Sequence, residues 1–308
     1  MSGNLDTLVF RPMPMAEQPK ALPLLGRCFK EAWENVANTR TTFPIYEESF
    51  GAFDGDAIVG HCGLVPYTVS DGKGGRLLMG GIASVATAPE YRGRGIARQL
   101  CLTIRDWCLK NQPAYKSLPL YTGKDRVYES AGWRNYLPQK PMRATLGMKT
   151  SVMPIGGFGG LRNDEAQEIR RLYAAGEDFC GKVIRGEGNG IQDWPHVLTD
   201  EANSFVLEDG IYALLIDQAV VELYAEDRVS DEALLDFLRR LPANADGTLD
   251  LALPRQGRVA TVLRYFGFAL EDCPRDLMHG EHPMYLDLES PGFHAQPETV
   301  FYPLADKF

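Results

Sequence analysis

Apolar and polar residues alternate with the period of a β-strand in the first third of the chain. Three such runs cover Ser49–Phe53, Ala57–Val69 and Arg76–Thr87, and turn residues separate them at Asp54–Asp56 and Asp71–Gly75. Asp-Gly between alternating apolar runs is a signal for a β-hairpin. The pattern therefore predicts an antiparallel meander.

The apolar spacing becomes helical after Pro89. Ile96, Leu100 and Ile104 fall on one face of a predicted helix that runs to about Asn111. Apolar residues between Glu17 and Asn38 also have helical spacing. The other elements predicted up to residue 150 are strands at 6–11, 117–123, 133–137 and 142–150 and a short helix from about Asp125 to Ala131. Together they predict one mixed α/β sheet.

A looser version of the same order follows the Gly-rich segment 152–164. Ser230 precedes Asp231 and Glu232 at the start of a predicted helix, which is the pattern of a capped N-terminus. The remaining predictions are helices near 164–175 and 257–266 and strands near 204–208, 211–217, 219–225, 248–253, 267–270 and 284–288. The predicted fold class is α/β, an α+β mixed sheet in two copies, with a first domain at 1–150 and a divergent second domain at 151–308.

The composition is typical of a soluble globular protein. The 308 residues are 44% hydrophobic and 24% charged, and the mean hydropathy is -0.22. No run of about 18 apolar residues is present to span a bilayer, and the N-terminus lacks the pattern of a signal peptide. Six cysteines without a CxxC pair are too sparse for a disulfide framework. We therefore expect a cytoplasmic protein with reduced thiols and no membrane partner.

The charge differs between the halves. The net charge is -9, and residues 1–150 carry 19 basic and 13 acidic residues, whereas residues 151–308 carry 13 and 28. An acidic total argues against a nucleic-acid partner that needs a general basic surface. The first half suits an anionic ligand and the second a cationic one, with a solvated acidic surface as the alternative.

A Gly-rich loop joins a predicted strand to the long helix. Tyr91–Ala97 places Gly93 and Gly95 between Arg92 and Arg94, immediately before the helix. Amides at a helix N-terminus bind anions, and glycines let them be exposed. The loop is neither a P-loop nor a Rossmann fingerprint, and a turn with solvated arginines is the alternative.

This loop resembles the acyl-CoA signature of the Gcn5-related N-acetyltransferase (GNAT) superfamily. Arg92, Gly95 and Ala97 match it after a strand ending at Ala88-Pro89, and Tyr128–Trp133 resembles the second sequence block of the family. The resemblance implies acetyl-CoA as cosubstrate, with Tyr128 protonating the departing thiolate. It implies these acetyl-CoA-binding residues: Val85, Ala86, Thr87, Arg92, Gly93, Arg94, Gly95, Ile96 and Ala97.

A narrower resemblance is to the Eis-type tandem acetyltransferases. It covers most of residues 1–270, and this chain departs from it by lacking the full sterol-carrier-like domain. By this resemblance the Phe308 carboxylate serves as general base or as an anchor for the amine, and a surface-docked tail is the alternative. The second half offers Glu226 and Asp227 where phosphate would need amides, so we expect it to bind no CoA.

The sequence says least about the residues that bind the acceptor. The resemblance places Phe29, Trp33 and Glu34 in the region that binds substrate. His61 lies in an apolar strand, where a core histidine is a commoner finding than a base. The spacing of His279 and His282 is not that of a metal motif, and we expect no metal site.

The leading hypothesis is an N-acetyltransferase that transfers acetyl from acetyl-CoA to a primary amine of a small cationic molecule by direct attack on the thioester. The alternatives are a protein, peptide or cysteinyl-sugar acetyltransferase and a non-catalytic acyl-CoA-binding module. The sequence leaves open whether the chain forms a homo-oligomer.

Overall fold

In the computed structural model, which describes residues 5–30, 48–136, 139–147, 162–185, 204–290, 292–295 and 300–301, a six-stranded sheet occupies the first half of the chain. Neighbouring strands from β1 to β4 are antiparallel, and β5 is parallel to β4. The predicted meander is therefore confirmed. The strands of this sheet are β1 (Val9–Met13), β2 (Glu48–Asp54), β3 (Ala57–Asp71), β4 (Arg76–Thr87), β5 (Tyr115–Ser117) and, paired to β3, β9 (Cys180–Val183).

Helix α2 (Ile96–Asn111) covers one face of this sheet, as its apolar spacing predicts. Ile96, Leu100 and Ile104 are all buried. The helix approaches β3 so closely at Gly60 that a Cβ there would lie 2.7 Å from Ile96 Cγ2. The other α-helices in the described part of this half are the short α1 (Leu22–Cys28), preceded by a 3-10 turn, and α3 (Asp125–Glu129).

The second half builds a separate sheet with its own core. Helices α5 and α6 pack on it through buried leucines, phenylalanine and valines. The fold class, a mixed α/β fold whose sheets fit a tandem arrangement, is thus confirmed. The elements are α4 (Asn163–Ala175), β10 (Ser204–Glu208), β11 (Ile211–Ile216), β12 (Ala219–Ala225), α5 (Asp231–Arg240), β13 (Thr248–Leu251), α6 (Arg258–Tyr265) and β14 (Glu271–Asp272).

Strands cross between the two halves, and β9 of the second half already pairs with β3 in the first sheet. Strand β8 (Met142–Thr145) lies between β13 and β14 in the second sheet. In return, β15 (His282–Tyr285) lies between β6 (Leu120–Thr122) and β7 (Arg134–Asn135) of the first half. A strand near 142–150 in the first sheet is therefore the wrong expectation, because a short strand pairs with whichever sheet edge is open to it. The boundary at residue 150 stays a prediction, since residues 148–161 lie outside the described part.

A buried ion pair holds the exchanged β8 in place. Asp250 is fully buried on β13, and Arg143 of β8 donates to its two carboxylate oxygens at 2.6 and 2.9 Å. Arg275 and Asn244 add hydrogen bonds at 3.1 and 3.2 Å. Burial opposes the charge on Asp250, but hydrogen bonds from Arg143, Cys273 and Asn244 outweigh it and lower the pKa of the carboxyl below its usual range.

We expect Arg143→Met to lower the free energy of unfolding by about 3 kcal/mol, because it leaves a buried carboxylate without its bidentate partner. Urea denaturation measures this loss. Arg162→Met is the matched control, since Arg162 is 72% exposed in its ion pairs and its loss should change stability by less than about 1 kcal/mol. Equal stability of the two variants would contradict the prediction.

Among the described residues, no helix is both long enough and apolar enough to cross a membrane.

Candidate functional site

The loop between β4 and α2 presents backbone amides at its surface. Gly93 and Gly95 have φ of 77° and 83°, in the left-handed region that favours glycine, and Gly95 is the N-cap of α2. No side chain caps this helix, and its first internal hydrogen bond runs from Gln99 N to Gly95 O at 3.0 Å. The amides of residues 96–98 therefore precede the helical hydrogen-bond ladder, as an anion site at a helix N-terminus requires.

The two loop arginines fold back onto the loop itself. Arg92 Nε donates to Thr87 O at 3.3 Å, and Arg94 Nη2 donates to Glu90 O at 3.2 Å while stacking on the Tyr91 ring. Their charge thus lies beside the exposed amides, and their hydrogen bonds shape the loop. An anion would meet pre-organised backbone donors within a positive surface.

Neighbouring elements anchor this loop. Tyr91 OH donates to Asp54 Oδ2 at 2.6 Å, and Arg27 of α1 donates to both carboxylate oxygens of Glu90 at 3.2 and 2.6 Å. The Arg27 guanidinium lowers the pKa of Glu90 through this pair. The sequence motif indicated the loop, but neither contact was predicted, because their partners lie 37 and 63 residues away.

The outer edge of β4 opens beside this loop. Strand β5 pairs with β4 at Leu78 and Met79, and Ile82 N donates to Pro119 O at 2.9 Å. Within the described ranges, no strand pairs with that edge of β4 beyond Ile82. This part of the edge of β4 leads to the loop before α2.

The predicted cofactor residues on β4 differ in the side of the strand to which their backbone amides point. Ala88 N donates to Val59 O at 2.9 Å, on the β3 side, and Ala86 is paired with His61 on the same side. Since successive residues of a regular strand alternate, the amide of Thr87 faces the open edge, whereas Val85 lies at the register shift between His61 and Gly63. Of the three strand residues, Thr87 is directed to the open edge, and Ala86 belongs to the sheet ladder.

Tyr128 lies on α3. Its side chain is 9% exposed and packs in the first core. Burial raises the pKa of its hydroxyl, the thiols Cys101 and Cys62 add to the rise, and a hydrogen bond with Thr122 opposes it. The hydroxyl therefore stays protonated and can donate a proton. Helix α3 is tied to α2 by Arg98, whose Nε donates to Ser130 O at 2.8 Å.

The second half reaches this region through the exchanged strand. Glu281, which precedes β15, also raises the pKa of Tyr128 by its charge. The next residue, His282, has its Nε2 3.0 Å from Asp125 Oδ2 at the start of α3. The sequence did not indicate this approach, since about 150 residues separate the two segments.

The predicted acceptor residues are only partly described. Phe29 is half-buried at the end of α1 and packs against the first core. Trp33, Glu34 and Phe308 lie outside the described residues. His279 and His282 contact different carboxylates, and within the described part no three His, Cys, Asp or Glu side chains form a metal-type cluster.

The corresponding turn of the second half differs from the first. Helix α5 begins at Ser230, whose hydroxyl accepts a hydrogen bond from Ala233 N at 3.2 Å. In the preceding turn, the Glu226 carboxylate accepts from Arg171 and Arg228, and the Arg258 guanidinium donates to the Glu226 carbonyl. Side chains of the protein itself thus cap this helix and bind the turn before it.

A cleft of about 550 Å³ lies between the halves at the Asp71–Gly75 hairpin. Asp71, Glu177 and Asp178 line it together with Phe179, Phe293 and Phe301. Asp71 already accepts from the amides of its own turn, and Glu177 accepts from Arg258 N at 2.9 Å. The hairpin is at the opposite end of β4 from the amide loop.

The sequence comparison identifies the first half. Residues 9–135 match the acetyltransferase (GNAT) domain family. This part of the chain is a GNAT acetyltransferase domain. The match confirms the resemblance that rested on the amide loop and the Tyr128 block, both of which lie inside the GNAT domain. The comparison with curated proteins gives no match.

Solved structures extend the similarity beyond the GNAT domain. A Gcn5-related N-acetyltransferase from Kribbella flavida is 19% identical, with a TM-score of 0.59 over 94% of this chain and 74% of that one. A probable N-acyltransferase from Enterococcus faecalis V583 is 15% identical, with a TM-score of 0.62 over 92% and 73%. Eis1 from Mycobacterium abscessus is 14% identical, with a TM-score of 0.55 over 91% and 73%. At these identities the similarity establishes a shared fold across both halves.

Proposed function

We propose that this protein transfers the acetyl group of acetyl-CoA to a primary amine of a small cationic molecule. The GNAT domain match supports acetyl transfer in general. The class of the acceptor, a small cationic amine, is what we add to it. The observation that carries the proposal is the pair of left-handed glycines that opens α2 beside the unpaired edge of β4.

This arrangement suits the two ends of a CoA molecule. The pyrophosphate would accept hydrogen bonds from the amides of Arg94 to Ala97 at the helix N-terminus. The pantetheine amides would pair with Val85 and Thr87 as an added strand along the open edge of β4. The thioester would then lie near Tyr128.

The residues around the thioester supply the remaining chemistry. The Val85 amide would donate to the oxyanion that forms when the amine attacks, a role that needs only backbone. The Tyr128 hydroxyl would give its proton to the departing thiolate, and its raised pKa keeps that proton in place until then.

The charge of the second half supports a cationic acceptor. It carries 28 acidic and 13 basic residues, and β15 brings Glu281 close enough to act on Tyr128. A panel of amines incubated with acetyl-CoA and a thiol-detecting dye tests the proposal. Release of CoA with small cationic amines supports it, whereas release only with peptides or a cysteinyl sugar would replace the acceptor class. CoA binding without release for any of them would indicate a non-catalytic module.

The C-terminus supplies a separate prediction. We propose that the Phe308 carboxylate anchors the cationic acceptor. Deleting Lys307 and Phe308 should then reduce kcat/KM for the amine by at least about tenfold, with unchanged affinity for CoA.

Extending the chain by a few residues should have the same effect, because it moves the charge. Steady-state kinetics of both variants measure this, and normal turnover of the extended protein would contradict the anchoring role.

A further inference from the structure

Arg98 is an exposed arginine in the first turn of α2, beside the amides that precede the helical ladder. Its Nε donates to the Ser130 carbonyl oxygen at the end of α3, at 2.8 Å. Within the described ranges, no carboxylate forms an ion pair with Arg98, and its two Nη groups make no hydrogen bond. The guanidinium is therefore held through one nitrogen, while its other N–H groups can bind a ligand.

The position of Arg98 in the helix places this guanidinium next to the anion site. Arg98 comes three residues after the N-cap Gly95, which is a rise of about 4.5 Å along the helix axis. The Cα–Cβ bond of a helical residue tilts toward the N-terminus, and the contact with Ser130 turns this side chain toward α3. The guanidinium thus lies at the α2–α3 junction, by which we mean the contact between Arg98 and Ser130.

The two arginines of the loop are engaged elsewhere. Arg92 Nη2 lies 3.9 Å from Cys28 Sγ, at the end of α1. Arg94 stacks on the Tyr91 ring, in the turn before the helix. Of these three arginines, Arg98 is the one that contacts α3.

The charges near the loop favour the α3 side for a further phosphate. On the α1 side, the carboxylates of Glu90 and Asp54 lie against the loop. On the α3 side, Arg126 is exposed one turn before Ser130 and forms no ion pair within the described part of the chain. The acidic residue closest to it in that turn, Glu129, accepts a hydrogen bond from an asparagine side chain. An anion at the α2–α3 junction would therefore meet a positive surface.

CoA carries phosphate in two places, the pyrophosphate and the 3′-phosphate of its ribose. With the pyrophosphate at the amides of α2, the 3′-phosphate lies one ribose further on, within the neighbourhood of the first helical turn. A guanidinium suits a phosphate group because its planar N–H donors match two phosphate oxygens at once. The contact with Ser130 orients this guanidinium before the ligand arrives, which lowers the entropic cost of binding.

We propose that Arg98 binds the 3′-phosphate of CoA at the α2–α3 junction and thereby selects the acyl donor. Free CoA thioesters carry this phosphate. A thioester on the phosphopantetheine arm of a carrier protein has neither the adenosine nor its 3′-phosphate, and the protein should discriminate against it. The inference rests on the function proposed above and adds the class of donor to it.

Calorimetric titration of the full chain with CoA and with 3′-dephospho-CoA tests the proposal, because these ligands differ only in that phosphate. We expect the wild type to bind CoA about tenfold more tightly, as charge-assisted hydrogen bonds at an exposed site would give. In Arg98→Met the affinity for CoA should fall about tenfold, whereas the affinity for 3′-dephospho-CoA should change less than about twofold. Arg98→Lys keeps the charge without the planar donors, so it should retain part of the preference.

Arg105→Met is the matched control. Arg105 lies two turns further along α2 and is paired with Asp106, so its loss should leave the wild-type preference for CoA intact. The preference of the wild type should also shrink as the salt concentration rises, because salt screens an exposed charge pair.

Two outcomes would overturn the assignment. One is equal affinity of the wild type for both ligands. The other is an equal loss for both ligands in Arg98→Met, because loss of the Ser130 hydrogen bond alone would act on them alike. If the wild type binds CoA and acetylates an amine, either outcome affects this inference alone. If the wild type binds neither ligand, the proposed function fails and this inference fails with it.

Discussion

Gly95→Glu should abolish the binding of acetyl-CoA while the protein remains folded. The new carboxylate would stand at the N-terminus of α2, where it would occupy the pyrophosphate position and repel the phosphates. There is room for the side chain, because a Cβ at Gly95 would have its nearest neighbour, Leu5 Cδ1, at 3.9 Å. The left-handed backbone at this residue adds about 1–2 kcal/mol of strain, less than the stability of a typical domain.

Calorimetric titration with CoA measures this effect, and we expect affinity to fall by more than about 10²-fold, which is about 2.7 kcal/mol. Gly95→Gln is the matched control, since it has the same shape and the same backbone strain without the charge. It should bind CoA at least about tenfold more tightly than Gly95→Glu. Equal affinity of Gly95→Glu and the wild type would remove the anion site from this loop.

Tyr128→Phe should lower kcat by about 10²-fold with little change in the KM for acetyl-CoA. The hydroxyl is needed only when the sulfur departs, so its loss acts on the transition state and leaves ground-state binding intact. Steady-state kinetics with the best amine of the panel measure both constants. An unchanged kcat would show that water or another group protonates the thiolate.

Tyr173→Phe controls for the loss of a buried tyrosine hydroxyl. Tyr173 lies on α4 in a separate core and donates to Val183 O at 2.6 Å. Removal of the Tyr173 hydroxyl should lower the free energy of unfolding by about 1 kcal/mol and leave kcat unchanged.

The raised pKa of Tyr128 gives a further expectation for the pH dependence of kcat. The hydroxyl keeps its proton at pH values above the ordinary tyrosine pKa, which is near 10. Its ionisation should therefore cause no loss of kcat as the pH rises to about 10.

The sequence alone determined the elements whose signals are local. Left-handed glycines next to a helix start need only their own residues, so the amide loop at Gly93 and Gly95 was predicted at its observed position. Apolar spacing within one segment predicted the end of α2 at Asn111 and both ends of α5 within one residue. The Tyr128 block was likewise recognised from adjacent residues, and the family match over residues 9–135 covers all of these signals except α5.

Only the tertiary structure decided which strands meet. Strands β8 and β15 are four residues each, and such short strands carry too little side-chain pattern to choose between two sheets; the choice depends on which edges the rest of the fold leaves open. The sequence pattern favoured a core role for His61, and the side chain is indeed buried. Its position at the Ser84 bulge depends on one extra residue in β4, and that irregularity arises from pairing between strands and not from the composition of either one.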